Sequence, residues 1–166
     1  MIIDQKISVT APANEVWNLV WNQFGNVSDW ASTVNESAES KTAGAVKGRT
    51  CTSTWGEVSE IVDSVSDAQM KFTYHADGLP PMMKSVQSTW SVVSTGKETS
   101  EIRAHIEIEF AKIPGLLMGW MMKPKMRKDI GQTFEDLRVF INTGKKTDAK
   151  IQSDLKFFKK RSKKAA

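Results

Sequence analysis

The segment EIRAHIEIEF, residues 101–110, alternates apolar and polar side chains without a break, and this pattern constrains the fold more than any other feature of the chain. Because successive side chains of a β-strand point to opposite faces, the alternation predicts a strand with one buried face and one solvent-exposed face. Similar period-two patterns, separated by turn signals, predict six strands between Val34 and Phe110. An earlier strand is predicted around residues 6–9, KISV.

The buried face of this sheet needs a cover, and a second pattern in the sequence supplies one. Apolar residues recur at spacings of three and four towards the C-terminus, which predicts one long helix with a single apolar stripe. The stripe consists of Met118, Met122, Met126, Ile130, Phe134, Leu137 and Ile141. Pro124 falls inside this helix and predicts a kink near its methionine-rich end.

Two short helices are predicted between the first strand and the rest of the sheet. The first covers about residues 12–24 and ends at Gly25, and the second is a single turn over residues 28–31 that contains Trp30. The order of strand, two helices, six strands and long helix predicts an α+β fold. Its seven-stranded antiparallel sheet curves around the C-terminal helix.

The longest apolar run, from Ile113 to Met122, is interrupted by Pro114 and two glycines. It is shorter than the roughly 20 apolar residues that span a bilayer. The N-terminal residues MIIDQKISV show no secretory signal, and the single cysteine, Cys51, has no partner for an internal disulfide. We therefore expect a cytoplasmic protein in which Cys51 is a small strand residue rather than a reactive thiol.

Charge divides the chain into two parts. The net charge of +4 arises from residues 145–166, which hold nine Lys or Arg and two Asp or Glu, whereas residues 1–144 carry a net charge of −3.

At 166 residues and 40% apolar content, the chain is the size of one domain with a substantial core. We predict one domain over residues 1–144, with no specific nucleic-acid site, and a basic amphipathic tail over residues 145–166.

The tail begins with a helix cap at Thr147 or Asp148 and places Ile151, Leu155 and Phe158 on one helical face among lysines. Three interpretations are open. The tail docks on its own domain through this apolar face, it contacts an anionic membrane or RNA, or it is partly disordered. We expect docking, and weak contact with anionic membranes at most.

The order of elements resembles the helix-grip fold of the START-like superfamily, also called Bet v 1-like or SRPBCC. The superfamily includes pollen allergens, abscisic acid receptors, lipid-transfer domains and bacterial polyketide cyclase/dehydrase-type proteins. The resemblance spans most of residues 3–143. It is carried by SVTAPANEVWNLVWNQFGNVSDW at 8–30, GAVKGRT at 44–50, EVSEIVDSVSD at 57–67 and YHADGLPPMMKSVQSTWSVV at 74–93.

This resemblance implies a cavity between the sheet and the last helix, with the loop DGLPPMM, residues 77–83, at its mouth. Six of the eight methionines lie in this loop and in the N-terminal half of the long helix. Methionine is flexible and polarisable, so such a surface suits guests of different shapes, although the same residues can also fill an ordinary core.

Glu60 has the same strand parity as Val58 and Val62, so burial of the valines turns its carboxylate inward, where an unpaired charge is costly. Arg49 on the preceding strand lies opposite or diagonal to Glu60 and can pair with it. The resemblance matches Glu60 to an acidic residue that reaches the ligand pocket in receptor members. The pair can fix strand register, anchor a ligand or take part in acid/base chemistry.

Tyr74 and Trp90 are also predicted to face the cavity, whereas His75 and His105 have the outward parity. We therefore expect no metal site and no cofactor, and the common nucleophile and nucleotide-binding motifs are missing from the sequence. Glu60, Arg49 and Tyr74 are the candidates for proton transfer. The predicted ligand-binding residues are Trp30, Arg49, Glu60, Tyr74, Met82, Met83, Trp90, Met118, Met122 and Met126.

Three functions agree with these patterns. The first is a carrier or sensor of a small hydrophobic or lipid-like molecule. The second is a cyclase/dehydratase-type enzyme that uses the same cavity. The third is a partner-binding module, similar to the quinone-associated or ribosome-associated members of the superfamily, which acts through the basic tail. The sequence indicates no oligomeric state.

Overall fold

The computed structural model describes residues 1–41, 45–53, 56–111 and 118–165, without the side chains of residues 118–121, 164 and 165. The elements are β1 (Ile2–Val9), α1 (Ala13–Trp17), β2 (Val34–Ser40), β3 (Gly48–Ser53), β4 (Gly56–Ser66), β5 (Lys71–Asp77), β6 (Met83–Gly96), β7 (Thr99–Phe110), α2 (Met118–Thr143) and α3 (Asp148–Ala165).

The seven strands form one antiparallel sheet in the order β1-β7-β6-β5-β4-β3-β2, so that β1 and β2 are its two edges. The alternation predicted for residues 101–110 is confirmed in β7, where Ile102 and Ile108 are buried and Arg103 and Glu107 are exposed. The predicted α+β helix-grip architecture is therefore confirmed.

The segment after β1 differs from the predicted α-helix. Only α1 is α-helical, because the chain continues as a π-helical turn, Asn18–Asn22, and then as a 3-10 helix, Phe24–Asp29. The second helix therefore begins before the predicted turn at residues 28–31. The wider π turn keeps Trp17 and Trp21 stacked at 5.9 Å between ring centroids, and both rings contact Phe72.

Gly25 was expected to end the first helix. In the structure it instead allows the 3-10 helix and β2 to approach each other closely. A Cβ atom at Gly25 would lie 2.4 Å from Cγ of Glu39 and 3.1 Å from the Glu39 backbone nitrogen. Glycine therefore permits the 3-10 helix to pack directly against β2.

The long helix α2 covers the inner face of the sheet, as predicted. Met122, Met126, Phe134 and Leu137 are buried, and Pro124 lies inside the helix. The side chain of Met118, like residues 112–117 of the apolar run, lies outside the described residues. Within the described ranges, no helix is long and apolar enough to cross a membrane.

The tail forms α3, which docks on β2 through a face other than the predicted one. Lys150 is completely buried, and its Nζ donates to the carbonyl of Val34 at 2.7 Å and to Asp154 at 2.7 Å. The residues predicted to dock are exposed, by 43% for Ile151, 60% for Leu155 and 48% for Phe158. The prediction of an apolar docking face was wrong, because polar contacts of the neighbouring face orient the helix.

Candidate functional site

A cavity of about 230 Å³ lies between the inner face of the sheet and α2. Every strand from β2 to β7 contributes to its wall, together with the segment from Val20 to Trp30, the β5–β6 connection and the middle of α2. Aromatic rings dominate the lining and come from Phe24, Trp30, Phe72, Tyr74, Trp90 and Phe134. Such a wall buries apolar molecules and excludes water.

The pleat of two central strands directs these side chains inward. Phe72, Tyr74 and Ala76 alternate along β5 and line the cavity. On β6 the ring of Trp90 stacks on Phe134 of α2 at 4.8 Å between centroids. This contact packs the inner face of the sheet against α2.

The cavity has one charged corner, formed by Arg49 and Glu60. The two residues are direct partners in the β3–β4 register, and Nε of Arg49 donates to Oε2 of Glu60. Nη1 of Arg49 also donates to the carbonyl of Phe24 at 2.7 Å, and the guanidinium lies 4.0 Å from the Phe24 ring centroid. Arg49 is therefore buried with its charge paired and its face stacked on an aromatic ring.

Burial alone would lower the pKa of Arg49, but the charge of Glu60, together with smaller contributions from Cys51 and Tyr74, raises it above its ordinary value. Burial and then the Glu60 carboxylate raise the pKa of Cys51 to about 12. The same two causes raise the pKa of Tyr74, while Arg49 and a hydrogen bond with Ser88 partly offset them. Both groups therefore remain protonated at neutral pH.

The β5–β6 connection closes part of the wall with Leu79 and Pro80, and Met83 at the start of β6 adds to it. Gly78 adopts a φ of +76°, which places the turn where the sequence predicts it. On the opposite side, Thr33 and Thr133 share a hydrogen bond of 2.8 Å between their hydroxyl groups. Both threonines line the cavity and link its rim to α2.

Seven of the ten predicted ligand-binding residues line this cavity: Trp30, Arg49, Glu60, Tyr74, Met83, Trp90 and Met126. Met82 and Met122 are not among the described lining residues. Met82 belongs to the turn before β6, in which the backbone nitrogen of Met83 donates to the carbonyl of Pro80 at 2.8 Å. Met122 is buried one helical turn before Met126, beyond the lined part of α2. The side chain of Met118 lies outside the described residues.

Several lining residues did not enter the predicted set. Phe72 and Phe134 carry a signal in the sequence, because they belong to the buried parity of β5 and to the α2 stripe. Ser88 shares the parity of Trp90 and accepts a hydrogen bond of 2.9 Å from its indole Nε1. Asp129 also lines the cavity and pairs with Lys125. It lies beside the apolar stripe of α2 rather than in it, so no periodic pattern in the sequence marks it as a lining residue.

The two histidines face outward, as their parity predicts. Nδ1 of His75 lies 2.6 Å from Asp63, and Nδ1 of His105 lies 2.6 Å from Asp4. Neither histidine is among the described residues that line the cavity.

The family model described as polyketide cyclase / dehydrase and lipid transport matches residues 2–139. The chain belongs to this family. The matched residues include the sheet and most of α2, whereas α3 lies beyond them. No curated protein matches the sequence.

Solved structures share the fold of this family member at low sequence identity. The aromatase/cyclase ZhuI from Streptomyces sp. R1128 has 11% identity and a TM-score of 0.70, with coverage of 89% of this chain and 99% of that chain. A START superfamily protein from Mycobacterium smegmatis has 14% identity and a TM-score of 0.59, with coverage of 82% and 90%. Ara h 8.0201 has 11% identity and a TM-score of 0.62, with coverage of 85% and 97%. At these identities the similarity shows the fold alone.

Proposed function

We propose that the protein binds a small hydrophobic or lipid-like molecule in the cavity and acts as a cytoplasmic carrier or sensor of it. The observation that carries this proposal is a cavity of about 230 Å³ whose wall is mainly aromatic and aliphatic and contains one ion pair. A pocket with a large apolar wall and few polar groups gains binding energy from burial and orients its guest through the polar corner.

The charged corner suggests which polar group the guest carries. Within the described part of the chain, both contacts of Glu60 fall on Oε2, from Nε of Arg49 and from the more distant Sγ of Cys51 at 3.9 Å. We therefore expect Oε1 to accept a hydrogen bond from a hydroxyl or amine of the guest. The proposed substrate class is a small amphiphile with one donor group and an apolar body that fits a cavity of about 230 Å³.

The protonation of the corner favours binding over chemistry. Tyr74 and Cys51 hold their protons at neutral pH, and Glu60 is paired with Arg49. A general acid or base is most effective when its pKa lies near the working pH, so the raised pKa values of Tyr74 and Cys51 make these two residues poorly matched to proton transfer.

A cyclase/dehydratase-type enzyme is the second candidate, and the inward Glu60–Arg49–Tyr74 group is the observation that favours it. If the enzyme interpretation holds, Glu60→Gln lowers turnover by about 10²-fold or more, because the amide cannot accept a proton. A carrier instead returns its guest chemically unchanged.

The proposal is tested by filling the cavity and measuring the binding of 8-anilinonaphthalene-1-sulfonate by fluorescence. Ala76→Phe places a ring in the cavity, and we expect it to weaken binding of this probe at least about tenfold. His75→Phe is the matched control, since it adds the same ring one residue away on the outward face. Equal affinity in both variants and the unmodified protein, with all three folded, contradicts the proposal.

A further inference from the structure

Helix α3 exposes an apolar stripe to solvent. Ile151, Leu155 and Phe158 are spaced by four and three residues, and 43%, 60% and 48% of their surfaces remain exposed. A helix that docks on its own domain usually buries its apolar face. Here the face against the domain carries Lys150, Ser153, Asp154 and the half-buried Phe157, whose ring contacts Phe158. The stripe lies beside that face and stays exposed to solvent.

Contacts along the helix fix this orientation. Nζ of Lys150 donates to the carbonyl of Val34 near the start of α3, and Nδ2 of Asn35 donates to the hydroxyl of Ser153 at 2.9 Å. Nearly three turns later Arg161 pairs with Glu36. Rotation of α3 to bury the stripe would break all three contacts, so the stripe is held outward.

Lysines flank the stripe along one side. Lys156 and Lys159 directly follow Leu155 and Phe158 in the sequence, and Lys163 lies one turn further along the same side of the helix. All three lysines are exposed. The tail as a whole carries nine basic and two acidic residues. Apolar side chains beside lysines are complementary to a surface that is anionic at its headgroups and apolar just beneath them.

We propose that α3 is a membrane-docking helix that lies flat on an anionic lipid bilayer. Ile151, Leu155 and Phe158 enter the boundary between headgroups and acyl chains, and the lysines contact lipid phosphates. RNA would use the same positive charge but gains little from the two aliphatic side chains, so the stripe favours lipid over RNA.

Helix α3 also contacts the wall of the cavity. The membrane-docking proposal does not depend on which molecule the cavity holds. Val34, which accepts the hydrogen bond from Lys150, is also a lining residue. Because α3 lies beyond the residues matched by the family, the docking surface is an addition to the shared fold. Membrane docking would bring the cavity wall close to the bilayer.

Flotation of the full-length protein with vesicles tests the proposal. We expect it to float with phosphatidylcholine vesicles that contain about one quarter phosphatidylglycerol, to float far less with phosphatidylcholine alone, and to be released as salt rises. The triple variant Ile151→Ser, Leu155→Ser, Phe158→Ser should bind at least about tenfold more weakly. Val46→Ser is the matched control, because Val46 is 62% exposed elsewhere on the molecule, and it should bind like the unmodified protein.

A second measurement keeps the test decisive if the triple variant loses helical circular dichroism. Because Cys51 is buried, a polarity-sensitive dye can be attached at Phe158→Cys or, on the opposite face of α3, at Lys160→Cys. Anionic vesicles should shift the emission to the blue for the dye at position 158 and leave it unchanged at position 160.

Three results would overturn the proposal. In the first, the unmodified protein fails to float with the anionic vesicles at low salt. In the second, the folded triple variant floats as well as the unmodified protein, with equal dye responses at both positions. In the third, an RNA oligonucleotide binds in a manner that depends on Lys156, Lys159 and Lys163 and is unaffected by the serine substitutions, which identifies a polyanion surface instead.

Discussion

At the scale of single residues, burial of the Arg49–Glu60 pair in the cavity wall carries a large desolvation free energy. Burial removes most of the water around both charges. Their contact with each other, and the contacts of Arg49 with the carbonyl and ring of Phe24, replace that water. Removing one partner leaves the other charge buried without compensation, whereas removing both leaves an apolar wall. The pair therefore contributes more to the chemistry of the cavity than to the stability of the fold.

Single and double substitutions of Arg49 and Glu60 should therefore differ in their effect on stability. Glu60→Leu alone should lower the free energy of unfolding by about 3 kcal/mol, because Arg49 is then buried and unpaired. The double variant Arg49→Met, Glu60→Leu should recover most of that loss. Urea denaturation of the single and double variants measures the difference. Additive losses would show that the two residues do not act as a pair.

At the scale of elements, a buried polar network holds the start of α3, and the half-buried Phe157 lies further along the same helical face. Asp136 of α2 is 1% exposed and accepts hydrogen bonds from the backbone nitrogen of Ser32 at 2.8 Å, from Gln132 at 2.9 Å and from Thr147. Lys150 continues this network to β2. Burial lowers the pKa of Lys150, and its contact with Asp154 partly restores it.

Loss of the Lys150 contacts should release α3 without unfolding the sheet. A hydrogen bond made by a charged group contributes about 1.5–3 kcal/mol, so Lys150→Met should lower the protection of α3 amides from hydrogen exchange at least about tenfold. The amides of β7 should keep their protection. Lys156→Met is the matched control, because Lys156 is exposed on the same helix. Equal exchange of α3 in both variants would mean that Lys150 does not hold the helix.

At the scale of the whole molecule, periodicity predicted the fold because long alternating strands and one long apolar stripe leave few other ways to bury their apolar faces. β7 and the stripe of α2 show this most directly. Strand parity also predicted that Arg49 lies opposite or diagonal to Glu60, and the register shows that the two residues are directly opposite each other. Sequence periodicity was therefore sufficient to predict the elements whose apolar residues recur at a regular spacing.

The remaining features depend on tertiary contacts that no local pattern carries. The π turn after Trp17 accompanies the stacking of Trp17 on Trp21 and the contacts of both rings with Phe72, which is distant in sequence. The orientation of α3 depends on partners in β2, so its amphipathic pattern alone pointed to the wrong docking face. Met82 and Met122 are not lining residues, because Met82 lies in the turn before β6 and Met122 lies one helical turn before the lined part of α2.

The central claim is that the cavity holds a small hydrophobic guest, and native mass spectrometry of the full-length protein purified from its host tests it most directly. We expect a complex heavier than the 166-residue chain by the mass of one small molecule, which organic extraction releases chemically unchanged after long incubation. In the Ala76→Phe variant the extra mass should be lost, and in His75→Phe it should persist. A bare chain in every preparation, together with no uptake of added amphiphiles, would contradict the account.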